Sequence, residues 1–315
     1  MNATLLRRLR EASGTHVPFE TLTTFSNDPH RDLDELQAFG FTLERHPRLG
    51  VAYRGPSERL CPDQIEEQLG DCFIGRRVAV WNRVVSTNDH AALASNSLTN
   101  EGLVVLAEEQ TAGRGRRGRS WIAPARTSIL MSVLIFPEGS LADPSWLTAL
   151  GAVAVAELVR ERTGADARIK WPNDVRVDGK KLSGVLVERG AAAVIGIGLN
   201  VNLDHDDFPP ELTGSVTSMR ILQGERVDRS DLAASLIQRL DALYRQAKAV
   251  GPEPLRLAWS DLSEHTGRDA RVVTRTGVLR GRVTRIDLFE GVTLRSTDGA
   301  THELPRAEVA SITTL

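Results

Sequence analysis

Residues 169–200 read IKWPNDVRVDGKKLSGVLVERGAAAVIGIGLN. Apolar residues recur there in four short runs, at 169–171, 175–177, 183–188 and 193–199, and turn-forming residues separate the runs. Connections this short suit hairpins, whereas parallel neighbours need a longer crossover. The segment therefore predicts four strands in a mixed or antiparallel sheet.

The flanking sequence supplies helices and further strands for the same sheet. Asp143-Pro144 is a cap followed by a proline, and the helix it opens, 146–162, is apolar on almost all sides and is expected to be central. Residues 86–89, Ser-Thr-Asn-Asp, fit a capping box at the start of another helix. The remaining predicted elements are strands at 78–84, 102–107 and 128–136 and a helix at 229–249. Together they predict an α+β domain over residues 77–264.

Shorter units are predicted on either side of this domain. Residues 1–55 show three amphipathic helices and an alternating hairpin, the arrangement of a winged helix-turn-helix. Residues 56–76 are predicted to be a linker with one short helix. Residues 265–315 alternate in five runs with glycine-containing turns, which predicts a small barrel of the SH3-like kind. The chain is thus expected to be a multidomain α+β protein.

The composition is that of a neutral globular protein. The 315 residues include 39 Lys and Arg and 41 Asp and Glu, so the net charge of -2 excludes a uniformly basic nucleic-acid binder. The longest apolar run, 128–136, is far shorter than the roughly 20 residues that span a bilayer, and the first residues lack a signal-peptide pattern. Cys61 and Cys72 are too few for a disulfide framework and have no metal-ligand spacing. We therefore expect a soluble, cytoplasmic protein.

The strongest local signal for chemistry is residues 113–119, Gly-Arg-Gly-Arg-Arg-Gly-Arg. Three glycines leave the backbone flexible, and four guanidinium groups repel one another unless an anion joins them. The segment is interpreted as a mobile loop that orders over a phosphorylated ligand. An exposed basic loop, or an RNA-binding stretch of the RGG kind, explains the same residues about as well.

Two further segments place polar groups at strand ends. Residues 170–174, KWPND, run into a proline turn where a lysine could meet a phosphate and a carboxylate could hold Mg²⁺, although a solvent-facing lysine beside an Asx turn also fits. In residues 180–184, KKLSG, a lysine beside a glycine could reach inward, or the segment could be a basic β-turn. Residues 196–202, GIGLNVN, lack the third glycine and the later acidic residue of a dinucleotide-binding loop, which excludes a Rossmann site.

In this order and at these spacings, the motifs resemble those of the biotin protein ligases that biotinylate the carboxyl-carrier domain of acetyl-CoA carboxylase. The resemblance covers essentially the whole chain and includes residues 86–88, 110–119, 121, 170–174, 181–184 and 196–202. It implies a class II synthetase-like catalytic domain within the three-part layout of the family's bifunctional members. It also implies ATP and biotin as substrates, Mg²⁺, a biotin carboxyl-carrier protein as partner and a possible homodimer.

The resemblance further implies a role for individual residues. Lys181 would lie where the biotin carboxylate meets the α-phosphate and would act with Arg116 in catalysis. Biotin would be bound by Ser86, Thr87, Asn88, Gln110, Arg114, Gly115, Arg116, Lys181 and Gly184. ATP and its phosphates would be bound by Arg117, Arg119, Trp121, Lys170, Asn173 and Asn200, with Asp174 on Mg²⁺. Trp121 is interpreted as an adenine-stacking group, although a core tryptophan fits nearly as well.

Three other functions stay open on the sequence. A lipoate ligase or octanoyl transferase resembles the central fold, but the arginine loop together with KWPND favours biotin. A DNA-binding repressor that responds to biotinyl-AMP could coexist with ligase activity, yet DNA binding is doubtful because the expected recognition helix, 29–39, carries Asp32, Asp34 and Glu35 against Arg31 alone. The N-terminal unit would then be a degenerate remnant or a contact surface for the catalytic domain. A general nucleic-acid binder is disfavoured because the basic cluster is short and the chain is neutral.

Overall fold

The computed structural model describes residues 1–315, with the side chain of Ser140 outside the description. The N-terminal unit has three helices, α1 (Ala3–Glu11), α2 (Phe19–Leu22) and α3 (Pro29–Phe39), and a hairpin of β1 (Thr42–His46) and β2 (Gly50–Gly55). Asp28 caps α3 through its carboxylate, and Pro29 occupies the first turn, as the sequence predicts. Leucines from all three helices form a core of their own.

The connecting segment packs against both neighbouring units. Its short helix, α4 (Pro62–Leu69), contacts α1, and its Leu60, Ile65 and Leu69 belong to the core of the central unit. Cys61, in contrast, is buried in the N-terminal core, where its sulfur accepts the Gln64 N–H at the start of α4. The expected linker is therefore a structural bridge between two cores.

The central unit is built on seven strands. In chain order its elements are β3 (Arg77–Trp81), α5 (Thr87–Leu93), β4 (Leu103–Ala107), β5 (Ser128–Ile135), α6 (Pro144–Thr163), β6 (Arg168–Lys170), β7 (Asp174–Val177), β8 (Lys180–Arg189), β9 (Ala193–Asn200), α7 (Met219–Gln223), α8 (Arg229–Val250) and α9 (Glu253–Leu262). The sheet order is β3-β4-β5-β9-β8-β7-β6. Only the β3–β4 pair is parallel, so the predicted mixed α+β architecture is confirmed.

The two faces of this sheet differ in what they bury. Ile129, Met131 and Val133 of β5 belong to the large core that includes the apolar residues of α6. Gly151 lets that helix approach closely, because a Cβ there would lie 2.8 Å from Val185 Cγ1. The opposite face carries Leu130, Ser132 and Leu134, as the two-residue period of a strand requires. Helix α5 packs against β4, β5 and β9 on this second face.

The C-terminal unit is a five-stranded antiparallel sheet. It contains β10 (Asp269–Thr274), β11 (Val278–Asp287), β12 (Gly291–Arg295), β13 (Thr301–Pro305) and β14 (Val309–Thr314), in the order β13-β12-β11-β10-β14. Its apolar side is continuous with the central core, and the Phe289 ring lies 3.7 Å from that of Trp146. Helix α9 leads into it and was not expected, although Pro254 is tolerated in the first turn of a helix.

Two details of the sequence prediction are wrong. The strand expected at 78–84 ends at Trp81, and Val84 instead forms an isolated bridge with Gln110. The predicted capping box is only half present: Ser86 Oγ accepts the Asn88 N–H at 3.3 Å, but the Asp89 carboxylate binds Arg114 instead of the helix backbone. A guanidinium that offers two hydrogen bonds is a stronger partner for a carboxylate than one backbone N–H. Among the described residues, no helix is both long and apolar enough to cross a membrane.

Candidate active site

Glycines on the adjacent strands β8 and β9 form the floor of a groove on the second face of the central sheet. Gly198 lies opposite both Gly184 and Leu130, and Gly196 lies opposite Ser132. A Cβ on Gly196 would come within 2.4 Å of Asn88 Oδ1, and one on Gly198 within 2.4 Å of Trp121 Cε2. The glycines are therefore required because an amide side chain and an indole ring lie directly on the backbone of β9.

A polar cluster closes one end of the groove. Gln110 Oε1 accepts hydrogen bonds from Thr87 N at 2.8 Å and Thr87 Oγ1 at 3.0 Å. The hydroxyl of Ser132 lies 2.8 Å from Thr87 Oγ1 and 2.6 Å from Asn88 Oδ1. Ser86 is buried and caps α5, so the backbone presents Thr87 and Asn88 to the sheet. The cluster combines short donors and acceptors in a protected corner.

Glu188 of β8 fixes the orientation of this cluster. Its carboxylate accepts from Asn88 Nδ2 at 2.7 Å, which turns Asn88 Oδ1 toward Ser132. The same carboxylate and that of Asp89 bind the Arg114 guanidinium, at 2.9 Å and 2.6 Å from Nη2. Burial alone would raise the pKa of Glu188, but the hydrogen bonds from Arg114 and Asn88 outweigh it and lower the pKa. Arg114 thus ties the arginine loop to α5 and β8.

The arginine loop is a tight hairpin over the groove. Gly115 N donates to Arg119 O at 2.6 Å, and Trp121 N donates to Gly113 O at 2.9 Å. Arg117, at φ +59°, directs its guanidinium to the carbonyl of Ala310 in the C-terminal sheet. All four arginines of the loop are exposed. Arg117 therefore faces the C-terminal sheet instead of the groove.

The Arg116 side chain extends to the far end of the groove, where several cationic side chains lie close together. Its Nη1 donates to Asn173 Oδ1 at 3.3 Å. Desolvation and the nearby charges of Arg117 and Arg306 lower the pKa of Arg116. Crowded like charges of this kind are relieved when an anion binds between them.

Lys181 lies where the glycine floor meets this cationic end. Its Nζ is 2.8 Å from Asp174 Oδ1 and 5.5 Å from the centre of the Trp121 ring. A Cβ on Gly184 would contact both Lys181 Nζ, at 3.2 Å, and Asp174 Oδ1, at 3.4 Å, so the glycine leaves room for the ion pair. The KWPND and KKLSG segments are thereby brought together across the β7–β8 pair.

The other predicted nucleotide residues lie on β6, on the turn that follows it and on β9. Desolvation lowers the pKa of Lys170, as does the charge of Arg176. Asn173 is held by β8, since its Nδ2 donates to Val185 O at 2.7 Å. Asn200 is buried, and its Nδ2 donates to Thr217 O at 3.1 Å. Among the described residues, no three His, Cys, Asp or Glu side chains are grouped to hold a metal ion, so Asp174 offers a single carboxylate.

Two residues of the site were missed in the sequence analysis. Ser132 carries a detectable signal, because it is a polar residue in the middle of the otherwise apolar run 129–136 and is fully buried. Glu188 gives no such signal in the sequence, because acidic residues are common at the ends of strands. Its role follows only from the contact with Asn88, which is distant along the chain.

Comparisons with known proteins found relatives by sequence and by structure. Residues 80–202 match the model of the biotin/lipoate A/B protein ligase family. The bifunctional ligase/repressor BirA of Bacillus subtilis is 32% identical over 285 residues, covering 89% of this chain and 87% of the relative. The biotin–[acetyl-CoA-carboxylase] ligase of Mycobacterium tuberculosis is 35% identical over 207 residues, covering 62% of this chain and 76% of the relative. A structure of the Aquifex aeolicus biotin protein ligase with biotin and ATP matches the fold with a TM-score of 0.67, at 24% identity, over 76% of this chain and all of the other.

Proposed function

The chain belongs to the biotin protein ligases of the biotin/lipoate A/B protein ligase family, and we propose that it is a biotin–[acetyl-CoA-carboxylase] ligase. It activates biotin with ATP to biotinyl-5′-AMP and then transfers biotin to a lysine of a carboxyl-carrier protein. The observation that carries the proposal is the order of groups along the groove. A polar corner, a flat glycine floor and a cationic end follow one another on a single sheet face.

The polar corner suits the ureido ring of biotin. A ureido group has one carbonyl acceptor and two N–H donors, and it needs partners of both kinds when it is buried. Thr87, Asn88 and Gln110 supply hydroxyl and amide groups in a fixed orientation, and Ser132 supports them from the sheet. The apolar ring system and chain of biotin then run beside Asn88 and Trp121, which cover Gly196 and Gly198, and this places the carboxylate near the cations.

Activation of biotin is an electrostatic problem. A carboxylate oxygen must bond to the α-phosphorus of ATP while the bond from that phosphorus to the bridging oxygen breaks and pyrophosphate leaves. Both reactants are anions, so positioned cations provide the stabilisation. Lys181 meets the carboxylate where it joins the α-phosphate, and Arg116 and Lys170 offset the charge of the phosphates. Arg117 and Arg119 bind the outer phosphates once the loop has closed, and Trp121 stacks on adenine with Asn200 near the nucleotide.

Transfer needs no nucleophile from the ligase. The carrier lysine amine attacks the acyl carbon of the mixed anhydride, loses a proton, and the bond to AMP breaks. The loop of residues 113–119 excludes water from this reactive intermediate. Arg114, bound to Glu188 and Asp89, anchors the loop beside biotin, and its neighbour Gly115 leaves the backbone free to approach the carboxylate.

Mg²⁺ fits the site only together with the nucleotide. One carboxylate plus substrate phosphates is a common arrangement for this ion. Asp174 is the residue that would hold it, although the same carboxylate is paired with Lys181 in the structure. The ion would supply further charge neutralisation on the phosphates.

The outer units support the bifunctional layout of the family. Three helices followed by a hairpin suit a winged helix-turn-helix at residues 1–55, and the five antiparallel strands suit an SH3-like domain at 265–315, on either side of the linker 56–76 and the catalytic domain 77–264. The N-terminal unit is fastened to the rest through α1, where Arg10 binds Asp228 and Asp231 at the start of α8. This attachment supports a contact role for the unit.

DNA binding by the N-terminal unit is weak or absent in this proposal. On α3, Arg31 is paired with Glu35, and Asp34 binds Arg45 of the hairpin, so few free cations are available for phosphates. A mobility-shift assay on the upstream region of its own gene, with biotin and ATP at low salt, tests this. A salt-resistant complex at nanomolar protein would identify a working repressor.

The ligase proposal is tested with the purified full chain. We expect pyrophosphate release that depends on biotin, followed by incorporation of biotin into a carboxyl-carrier domain. Lipoate and octanoate are the comparison acids, and carrier with its lysine changed to arginine is the control for transfer. Activation of lipoate in preference to biotin would overturn the proposal and identify a lipoate ligase.

A further inference from the structure

His265 is a buried histidine at the junction of the central and C-terminal units. It follows α9, and its side chain is 0% exposed. Its Nε2 lies 3.2 Å from the backbone nitrogen of Trp171, and its Nδ1 lies 3.0 Å from Thr314 Oγ1 in β14. The ring therefore connects the KWPND turn of the candidate site with the last strand of the C-terminal sheet.

The imidazole completes a backbone ladder at the edge of the central sheet. Strand β6 is an edge strand, and its Ile169 pairs in parallel with Ser263, with Glu264 N donating to Ile169 O at 2.9 Å. In a continuing parallel ladder the next donor, Trp171 N–H, would bond a carbonyl of the added segment. Here it donates to the ring of His265. The side chain thus provides the acceptor that a neighbouring strand would otherwise provide, at the point where β6 ends before Pro172.

Only the neutral ring can accept this hydrogen bond. Nε2 must carry a lone pair, so the proton is on Nδ1 and is donated to Thr314 Oγ1. Burial disfavours the charged ring, and Lys170 of β6, Arg176 of β7 and Arg268 lower its pKa further, to about 3, while Glu264 lies 3.9 Å from Nε2. The ring is therefore neutral at physiological pH.

The turn that His265 holds carries the residues at the cationic end of the groove. Asn173 accepts from Arg116, and Asp174 binds Lys181. On its other side the turn is held by β8, where Val185 N donates to Asn173 O at 3.0 Å. His265 and β8 hold the turn from opposite sides, so both Asn173 and Asp174 depend on them for their position.

We propose that His265 is a positioning residue for the nucleotide half of the site, acting through the Trp171 backbone on the turn that presents Asn173 and Asp174. It touches neither substrate in this arrangement. The polar corner for biotin lies on α5 and β5 and does not share these contacts. Loss of the ring is therefore expected to weaken the use of ATP much more than biotin binding, because only the biotin carboxylate reaches Lys181 at the cationic end. This inference rests on the proposed ligase function.

The test compares two substitutions in the full chain. His265→Phe keeps the size of the ring but cannot accept from Trp171, whereas the amide oxygen of His265→Gln can. For the phenylalanine variant we expect kcat/KM for ATP in biotin-dependent pyrophosphate release to fall about tenfold, the scale of one buried hydrogen bond. The biotin Kd from calorimetry should change less than about twofold, and glutamine should restore most of the loss. His302→Phe, in the same C-terminal sheet and next to Ser296, is the matched control and should behave as wild type.

The outcomes separate this inference from the proposed function. A wild-type chain without biotin-dependent pyrophosphate release contradicts the ligase proposal. With an active wild type, unchanged ATP kinetics in His265→Phe overturn the positioning role, and so does a parallel loss of biotin and ATP binding. If the phenylalanine variant does not fold, Thr314→Val is the variant that tests the positioning role, because it removes the hydroxyl acceptor that orients the His265 ring. Weaker ATP kinetics with normal biotin binding support the role, and normal ATP kinetics in that variant overturn it.

Discussion

Replacing Lys181 with alanine is expected to abolish biotinyl-AMP formation while the chain remains folded. The ammonium group lies 2.8 Å from Asp174 Oδ1, and the two side chains are 32% and 22% exposed. An ion pair this open to solvent contributes about 1 kcal/mol or less to folding. The substitution therefore costs little stability.

The cost to catalysis is larger. The same ammonium lies where a carboxylate and a phosphate must approach each other, and its stabilisation is greatest when the two anions are bonding. Losing one such positioned charge costs about 3 kcal/mol or more, which corresponds to at least about a hundredfold in rate. The catalytic effect thus exceeds the effect on folding.

The assay is biotin-dependent pyrophosphate release, measured beside thermal unfolding. Lys180→Ala is the matched control, because it removes a neighbouring lysine of the same strand β8. We expect the control to retain activity and both variants to unfold near the wild-type temperature. Release at near wild-type rates in Lys181→Ala would remove this lysine from the mechanism.

Three further predictions concern the loop, the floor and acid stability. Trypsin should cleave residues 113–119 readily in the free protein and slowly with biotinyl-AMP, since clustered like charges order when an anion compensates them; equal cleavage in both states would count against a closing loop. Gly198→Ala should weaken ATP binding about tenfold, because its Cβ would lie 2.4 Å from Trp121 Cε2 and must displace the ring proposed to stack on adenine. Gly190→Ala has open space and should not, and equal calorimetric affinities for ATP would refute the argument. His265 has a folded-state pKa of about 3 against an ordinary 6.5, so the unfolded chain binds the extra proton between these values. Its contribution to stability is complete above about pH 6.5 and is lost as the pH falls toward 3. The free energy of unfolding, measured in urea, should therefore fall more steeply with decreasing pH across this window in the wild type than in His265→Phe. Parallel pH dependences in the two proteins would contradict the assignment.

Several elements could be predicted because their signals are local. The Asp143 cap of α6 and the strands after KWPND depend on turn residues and on a period of two or 3.6, which neighbouring residues alone determine. The boundaries shifted by a few residues where long-range pairing extended a strand, as in β8 at Lys180–Arg189. Helix α9 was not predicted because it begins directly after Gly251 and Pro252, two residues that usually interrupt a helix.

Side-chain partners across the sheet could not be predicted in this way. Arg114 was expected to bind biotin, and the structure pairs its side chain with Asp89 and Glu188, the second of which lies 74 residues away along the chain. Asp174 was likewise expected to bind a metal ion, and in the structure its carboxylate is paired with Lys181. A charged side chain binds whichever opposite charge the fold brings nearest, and the sequence order does not reveal that distance.

The sequence by itself determined the strands, the helix caps and the set of motifs that identify the family, since these depend on neighbours within a few residues or on residue identity. The tertiary structure decided that Gly196 and Gly198 form a floor beneath Asn88 and Trp121, that Glu188 orients the polar corner, and that His265 holds the KWPND turn. The physical reason is that strand register and packing bring together groups far apart along the chain. Hydrogen bonds and ion pairs act only over a few ångströms, so these partnerships exist only once the sheet has formed.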